Sequence, residues 1–459
     1  MEKRQRVSPT KKGIKCAGQH ICIDIMSVLP DDLLVHILSF LTLKEAAATS
    51  ILSSRWRYLW TFTPKLEFDG IESLLELELC EGKQINMLLK QKRSAYVKWV
   101  NDILASHKNS NIEVFKVLFS LDDVYEDDIG KWIRYALARK VQTLELNLKG
   151  TYGCHTHGEY YSFPNELLCN STDFKFLKSI SMDSVDVDGE ALEFLLCNCP
   201  LLENLSVSQS RDLSSLYIYG SSRSLKRLEI IDCQELGSIE IHDSNLVCLN
   251  YEGPRIHIVL EGVPHLVEMS LGGALTYYIQ DVISLFSRQL PLLEILTIDV
   301  IEDNFSWQVS EMFCSAVKMS NLKQLVVKFR LCEDQSLLPL TNIIRASPCL
   351  QRFVLEGMWS GTIEAVEREV EKVSTSKYVH LKEIELLGYY GRTSDLEFFM
   401  HLLENCVSLE KIVVDPHDTF RPSLKFKEAY EKEEKEVRAR TVEQLRNKVP
   451  PLLNFTILE

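Results

Sequence analysis

Residues 202–230 read LENLSVSQSRDLSSLYIYGSSRSLKRLEI. The stretch holds the pattern L-x-x-L-x-L, with aliphatic substitutes, at Leu202-Leu205-Val207 and again at Leu225-Leu228-Ile230. Successive side chains of an extended backbone face opposite ways, so the last two apolar positions of each copy share one face of a short strand. One such strand buries too little by itself, whereas copies stacked side by side bury one another. Midway between the two copies falls a third, Leu213-Leu216-Ile218. Its position predicts a strand on the convex side of the stack, in place of a helix that would otherwise return the chain. These residues therefore predict a parallel solenoid with strands on both sides.

The pattern continues in both directions. Before it stand Val141-Leu144-Leu146 and Leu177-Ile180-Met182, and after it Leu246-Leu249-Tyr251, Leu266-Met269-Leu271, Leu293-Leu296-Ile298 and Leu322-Leu325-Val327. Leu350-Phe353-Leu355, Leu381-Ile384-Leu386 and Leu409-Ile412-Val414 follow. Starts lie roughly 20 to 36 residues apart, which brackets the leucine-rich-repeat period. A second midway copy, Leu236-Ile239-Ile241, makes residues 210 to 250 richer in strand than their flanks. Elsewhere helical stretches end in Cys-Pro or Ser-Pro, at Cys199-Pro200 and Ser347-Pro348, where proline stops the helix before the next strand. Tyr96 to Leu104 reads as a helix, Val114 to Phe119 as a strand and Trp132 to Leu137 as a helix. Leu424 to Lys448 reads as a charged, solvated helix, and Asn454 to Leu458 as a final strand. The expected class is α/β.

Charge narrows the partners. The 459 residues carry a formal net charge of −14. Lys3, Arg4, Arg6, Lys11, Lys12 and Lys15 make the start basic, and they read as a disordered leader over residues 1–23 rather than an import signal. The remaining body is still more acidic, which does not suit nucleic acid, whose recognition wants a basic stripe. No run of eighteen apolar residues exists to span a membrane. Thirteen cysteines, mostly inside apolar patterns, read as reduced buried thiols of a cytoplasmic or nuclear protein.

Residues 29–60, LPDDLLVHILSFLTLKEAAATSILSSRWRYLW, follow a different rule. Leu33, Leu34, Ile37, Leu38 and Leu41 recur at helical spacing. Pro30 suits a first helical turn, and Asp31 and Asp32 suit the positive end of the helix dipole. A second helical stretch runs through Ala46, Ala47, Ser50 and Leu52, and a third carries Trp56, Leu59 and Trp60. Three short helices bury too little to stand alone, so the module calls for a partner or for the rest of the chain.

This module resembles the F-box, the adaptor-binding element of substrate receptors in Skp–cullin–F-box ubiquitin ligases. Leu29-Pro30, the Leu/Ile face, Leu43-Lys44-Glu45 and Leu52-Ser53-Ser54-Arg55-Trp56 carry the resemblance. Arg57-Tyr58-Leu59-Trp60 and Pro64-Lys65-Leu66-Glu67-Phe68-Asp69 are similar to the plant branch of that family. Thr42 stands where the family often has proline, and Ala48 and Ser54 where it often has basic residues. The layout as a whole resembles plant F-box proteins with leucine-rich repeats and an FBD-type C-terminal segment, echoed by Leu381 to Leu386, Asp395 to Phe398 and Leu409 to Ile412. The resemblance implies a small three-helix F-box followed by an irregular leucine-rich-repeat horseshoe. Expected boundaries are a leader at 1–23, the F-box at 24–69, a linker at 70–93, the solenoid at 94–374, and FBD-like repeats with a helix/strand cap at 375–459. It also implies that a Skp-type adaptor, and through it a cullin, docks on Leu29, Pro30, Leu33, Ile37, Leu38, Leu41, Leu52 and Trp56. Substrate recruitment for ubiquitination is the implied function, with an adaptor-binding scaffold or decoy outside ubiquitin ligation as the alternative.

No catalytic or metal set emerges from the residue pattern. There is no Cys-x-x-Cys pair for a zinc RING, and no G-x-G-x-x-G, P-loop or G-x-S-x-G motif. Cys154-His155-Thr156-His157 sits in a Gly/Tyr loop without a second matching cluster. Cys197-Asn198-Cys199 reads as thiols packed at a helix end, and the acids Asp122 to Asp128 as the start of a helix. No cofactor, no metal and no catalysis by the chain itself are expected. The repeat strands point a mostly acidic set away from the core: Glu229, Glu252, Glu268, Asp299, Glu356 and Glu385, with Val326 and Val354 as an apolar patch. That face reads first as a solvated sheet surface, and on the sharper reading as a groove that holds a protein substrate through a basic or mixed basic-apolar peptide.

Overall fold

The computed structural model describes residues 25–79, 83–149, 160–164, 174–220, 224–279, 292–300, 318–331, 334–359, 377–418 and 427–458. The chain divides into two compact units, Met1–Thr63 and Pro64–Glu459.

In the first unit, helices Ile25–Val28, Asp31–Leu38 and Leu43–Ala48 precede tighter 3-10 turns at Thr49–Ile51 and Trp56–Phe62. The third expected helix is thus wound more tightly than an α-helix. Leu34, Leu38, Ala46, Trp56 and Leu59 form the core, with Leu29, Val35 and Trp60 packed against it. Each fully buried leucine contributes about 2 kcal/mol. Thr42 is an N-cap: its hydroxyl accepts from the Glu45 amide at 3.3 Å, and its own amide donates to the Glu45 carboxylate at 3.0 Å. A threonine in place of proline therefore gives this helix a reciprocal cap.

The second unit is built on a parallel sheet of fourteen strands among the described residues. Its order follows the sequence from Lys65–Asp69 and Val114–Leu118 through Thr143–Asn147, Ser179–Asp183, Asn204–Ser208, Arg227–Ile231, Cys248–Glu252 and Glu268–Gly272. It continues through Ile295–Val300, Gln324–Leu331, Arg352–Trp359, Glu383–Leu387 and Lys411–Asp415 to Asn454–Ile457. Every main L-x-x-L-x-L copy supplies one of these strands, and equivalent leucines stand in register, as in Leu205↔Leu228 and Leu228↔Leu249. Ser215–Ile218, Ser238–His242 and His257–Glu261 make a separate three-stranded sheet. The strand-rich section thus extends past residue 250, because Leu260 completes the buried row begun by Ile218 and Ile241. Gly189, which opens the helix Gly189–Asn198, lets that helix approach the strand at Ser215. A Cβ there would lie 2.3 Å from the Ser215 carbonyl oxygen.

Several expectations need correction. Lys65–Asp69, counted with the F-box, is the first strand of the sheet, in register with Val114–Leu118. The division accordingly falls at Thr63/Pro64. Much of the expected linker is ordered, as a 3-10 segment Ile71–Leu79 and the start of a helix Lys83–Ser106. Arg93 holds that start down, donating to the Ser120 carbonyl at 2.8 Å and pairing with the Asp122 carboxylate. Tyr96 stacks on Phe119 at 4.1 Å, and Trp99 meets Phe68 edge-on at 5.4 Å. The acidic run does open a helix, Glu126–Ala138. Cys199 is buried, its thiol pushed up to about 12 by desolvation, but Cys197 is exposed rather than packed. Cys154 to His157 and the leader lie outside the described residues. The helix Lys427–Leu445 is not wholly solvated: Val437, Thr441 and Leu445, spaced four apart, are buried, and Val437 joins Trp359 and Tyr390.

Candidate functional site

The first unit presents an apolar surface on one side of its core. Leu34 and Leu38 turn inward, which turns Leu33, Ile37 and Leu41 outward on the same helix and its C-terminal turn. Phe40, Ile51 and Leu52 add to this surface, Ile51 at 88% and Leu52 at 64% exposure. Pro30 is exposed, and Leu29 is half-buried against the core. Of the residues expected to contact an adaptor, Leu33, Pro30, Ile37, Leu41 and Leu52 are on the surface. Leu38 and Trp56 are not: they fill the unit's own core, where helical periodicity alone places them as readily as on the outside. Phe40 and Ile51 were absent from the expected set, although both continue the same apolar run. Arg55 was also missed. Its Nε donates to Asp31 Oδ1 at 2.8 Å and a second nitrogen reaches the Leu29 carbonyl, so it fixes the Leu-Pro entry against the end of the module.

In the second unit, the outward positions of the strands form rows across the sheet. The middle row runs Ser181, Ser206, Glu229, Asn250, Ser270, Thr297, Val326, Val354 and Glu385. Small hydroxyl and amide side chains dominate its first half, a feature legible at the fifth position of each repeat but not singled out by charge. Most of the expected acids already have lateral partners. Lys328 lies 3.9 Å from Asp299 and 3.7 Å from Glu356. Arg352 donates to both oxygens of Glu385 at 3.0 Å, Arg227 stands 3.7 Å from Glu268, and Asn250 donates to Glu229 at 2.8 Å. Val354 is 5% exposed, held between the strands that carry Val326 and Glu385, so it offers little apolar surface to a partner. Glu252 differs from the other acids. Burial, with added repulsion from Asp299 and Asp232, pushes its carboxyl up to about 7, and Lys328 and Lys149 only partly offset this. Asp183, five strands away from Asp299 along the same edge of the face, is also raised, chiefly by burial.

Among the described residues, no group of three or more His, Cys, Asp or Glu is placed to hold a metal. No described helix is long and apolar enough to cross a membrane. The two sets differ in chemistry: the first is apolar and exposed, the second polar, acidic and strand-built.

Two family models match. Residues 26–67 match the F-box domain, and residues 170–459 match the model described as At1g61320/AtMIF1, LRR domain. Among relatives from Arabidopsis thaliana, the putative F-box/LRR-repeat protein At3g58880 is 30% identical over 414 residues, covering 83% of this chain and 89% of that protein. The putative F-box/LRR-repeat protein At3g42770 is 33% identical over 222 residues, 45% of this chain and 40% of that protein. The F-box/FBD/LRR-repeat protein At4g26340 is 26% identical over 430 residues, 86% of this chain and 94% of that protein. The repeat strands, the helical module before them and these matches agree: the chain belongs to the F-box/LRR-repeat family.

Proposed function

We propose that this chain is the substrate-recognition subunit of a Skp–cullin–F-box ubiquitin ligase, acting in the cytoplasm or nucleus. F-box domains in general bind a Skp-type adaptor and through it a cullin. The observation that carries the reading is the exposed apolar set Leu33, Ile37, Phe40, Leu41, Ile51 and Leu52 on a module whose core is otherwise complete. Exposed large apolar side chains in such number on so small a module mark a protein interface, dominated by a few well-buried anchors. The strand face would hold the target, and its acids favour a basic or mixed basic-apolar segment. Ubiquitin transfer would come from the partners; the chain's part is proximity, holding a target lysine beside a reactive thioester.

The test is capture of adaptor and cullin by the full chain beside an Ile51→Asp/Leu52→Asp variant. Both side chains are exposed, so the variant keeps its fold, and the loss of two anchors lowers adaptor affinity on the order of a hundredfold. Undiminished capture by a folded variant would remove the assignment. Adaptor captured without cullin would favour the scaffold or decoy reading.

A further inference from the structure

Between Lys448 and Glu459 the chain reads VPPLLNFTIL, with no charged residue, in a protein whose composition is 25% charged. The strand Asn454–Ile457 within it is the last of the fourteen and, among the described residues, pairs on one side only, with Lys411–Asp415. Native edge strands are usually blunted by charge, and this one is not. The Asn454 amide donates to the Glu410 carbonyl at 3.3 Å, and the Leu458 amide donates to the Val414 carbonyl at 2.9 Å. Inward and outward backbone groups alternate along a strand, so Thr456 also bonds inward, while the N–H and C=O of Phe455 and Ile457 point to the open side. Phe455 and Ile457 stay half-exposed although their register neighbours Ile412 and Val414 are buried. Exposed leucines stand at both ends of the strand, Leu452 at 100% and Leu458 at 38%.

We propose that this edge is a homodimer interface, in which Asn454–Ile457 pairs antiparallel with the same strand of a second copy about a two-fold axis at Thr456. The register is self-complementary. With the axis at Thr456, Phe455 falls opposite the partner's Ile457, and the outward groups of each pair exchange two hydrogen bonds, four in all by symmetry. Thr456 then faces its own copy in the closer, non-hydrogen-bonded position. In the same register Leu458 falls opposite the partner's Asn454, so the exposed leucine at the end of the strand loses water on pairing. A head-to-tail addition of another copy would leave a fresh open edge and grow without limit, whereas the isologous arrangement closes at two.

The experiment measures the mass of the full chain by light scattering and sedimentation. The expected species has twice the 52.8 kDa of one chain. Thr456→Lys sets two ammonium groups across the axis and weakens dimerisation roughly tenfold or more, as does Thr456→Glu with two carboxylates. Mixing the two variants restores a heterodimer. Ile457→Pro removes an outward N–H that the neighbouring strand does not use, so it weakens the dimer while the melting temperature stays. A wild type that remains monomeric up to about 100 μM, well above a typical specific-interface Kd, overturns the proposal. A dimer that survives both single charges, or a mixture that stays monomeric, overturns it as well.

Discussion

Leu34 and Ile51 are both aliphatic and carry opposite tasks. Leu34 is fully buried among Leu38, Ala46, Trp56 and Leu59, so Leu34→Ala leaves a cavity in a very small core. Its expected cost is about 2–5 kcal/mol, read as a lower denaturation midpoint of the N-terminal unit. Ile51 is exposed, and Ile51→Ala is expected to leave that midpoint unchanged within about 0.5 kcal/mol while lowering adaptor capture. Glu252 makes a pH prediction. Its carboxyl sits at about 7 in the fold, above the ordinary 4.5. A raised carboxyl binds its proton more tightly folded than unfolded, so its contribution is fully present below 4.5 and is lost as pH rises through 7. Glu252→Gln removes that dependence. The variant is expected to be more stable than wild type at pH 8, by on the order of 1 kcal/mol after solvent screening, and no more stable near pH 4. Urea unfolding of both proteins at both pH values checks it; a variant no more stable than wild type at pH 8 would contradict it.

The helix Thr393–Asn405 shows how one element is fixed by few contacts. Arg392 and Asp395 pair at 2.9 Å, both almost fully buried, while Asp334 accepts from the amides of Thr393 and Ser394 at 3.2 and 2.9 Å. Asp395→Ala strands a buried guanidinium and is expected to cost about 3–5 kcal/mol. Gly388, just before, has φ +70°, and a Cβ there would lie 1.8 Å from the Gly357 carbonyl oxygen. Gly388→Ala is expected to cost more than about 2 kcal/mol, measured by thermal melting, since neither the backbone nor its neighbour can yield. Elements were legible in the sequence where one period ruled. Each L-x-x-L-x-L copy needs only three aliphatic positions, and all became strands. Lys65–Asp69 was not legible as the first strand of the sheet because it lacks the leading leucine and continues the preceding module, whose family match runs to residue 67. His257–Glu261 escaped because Ile258, on the row of Leu216 and Ile239, is only half-buried. The burial of Leu38 was hidden for a different reason: Leu33, Leu34, Val35, Ile37 and Leu38 spread round the Asp31–Leu38 helix, so period alone cannot say which side faces in.

Across the whole second unit, stability is held between neighbouring strands, and long-range contacts are repeated copies of short-range ones. Amide exchange is therefore expected to be slowest in the interior strands Arg227–Ile231, Cys248–Glu252 and Glu268–Gly272, with the first strand, Lys65–Asp69, at the other edge of the sheet, faster. Uniform protection to the edge would contradict this. The acidic strand face was legible as a list of side chains but not as a surface, because lateral pairing by Lys328, Arg352 and Arg227 depends on registers that no single repeat records. One feature of those registers recurs at the strand entrances of the long sheet from Val114 to Lys411. The Lys178 carbonyl accepts from both Glu203 and Asn204, the Glu203 carbonyl from Lys226 and Arg227, and the Lys226 carbonyl from Val247 and Cys248. Each turn thus offers its successor the same pair of sockets that it takes from its predecessor. A gene encoding such a chain can duplicate or lose one turn by recombination without inventing a new junction, so the length of the recognition surface is itself open to inheritance and drift.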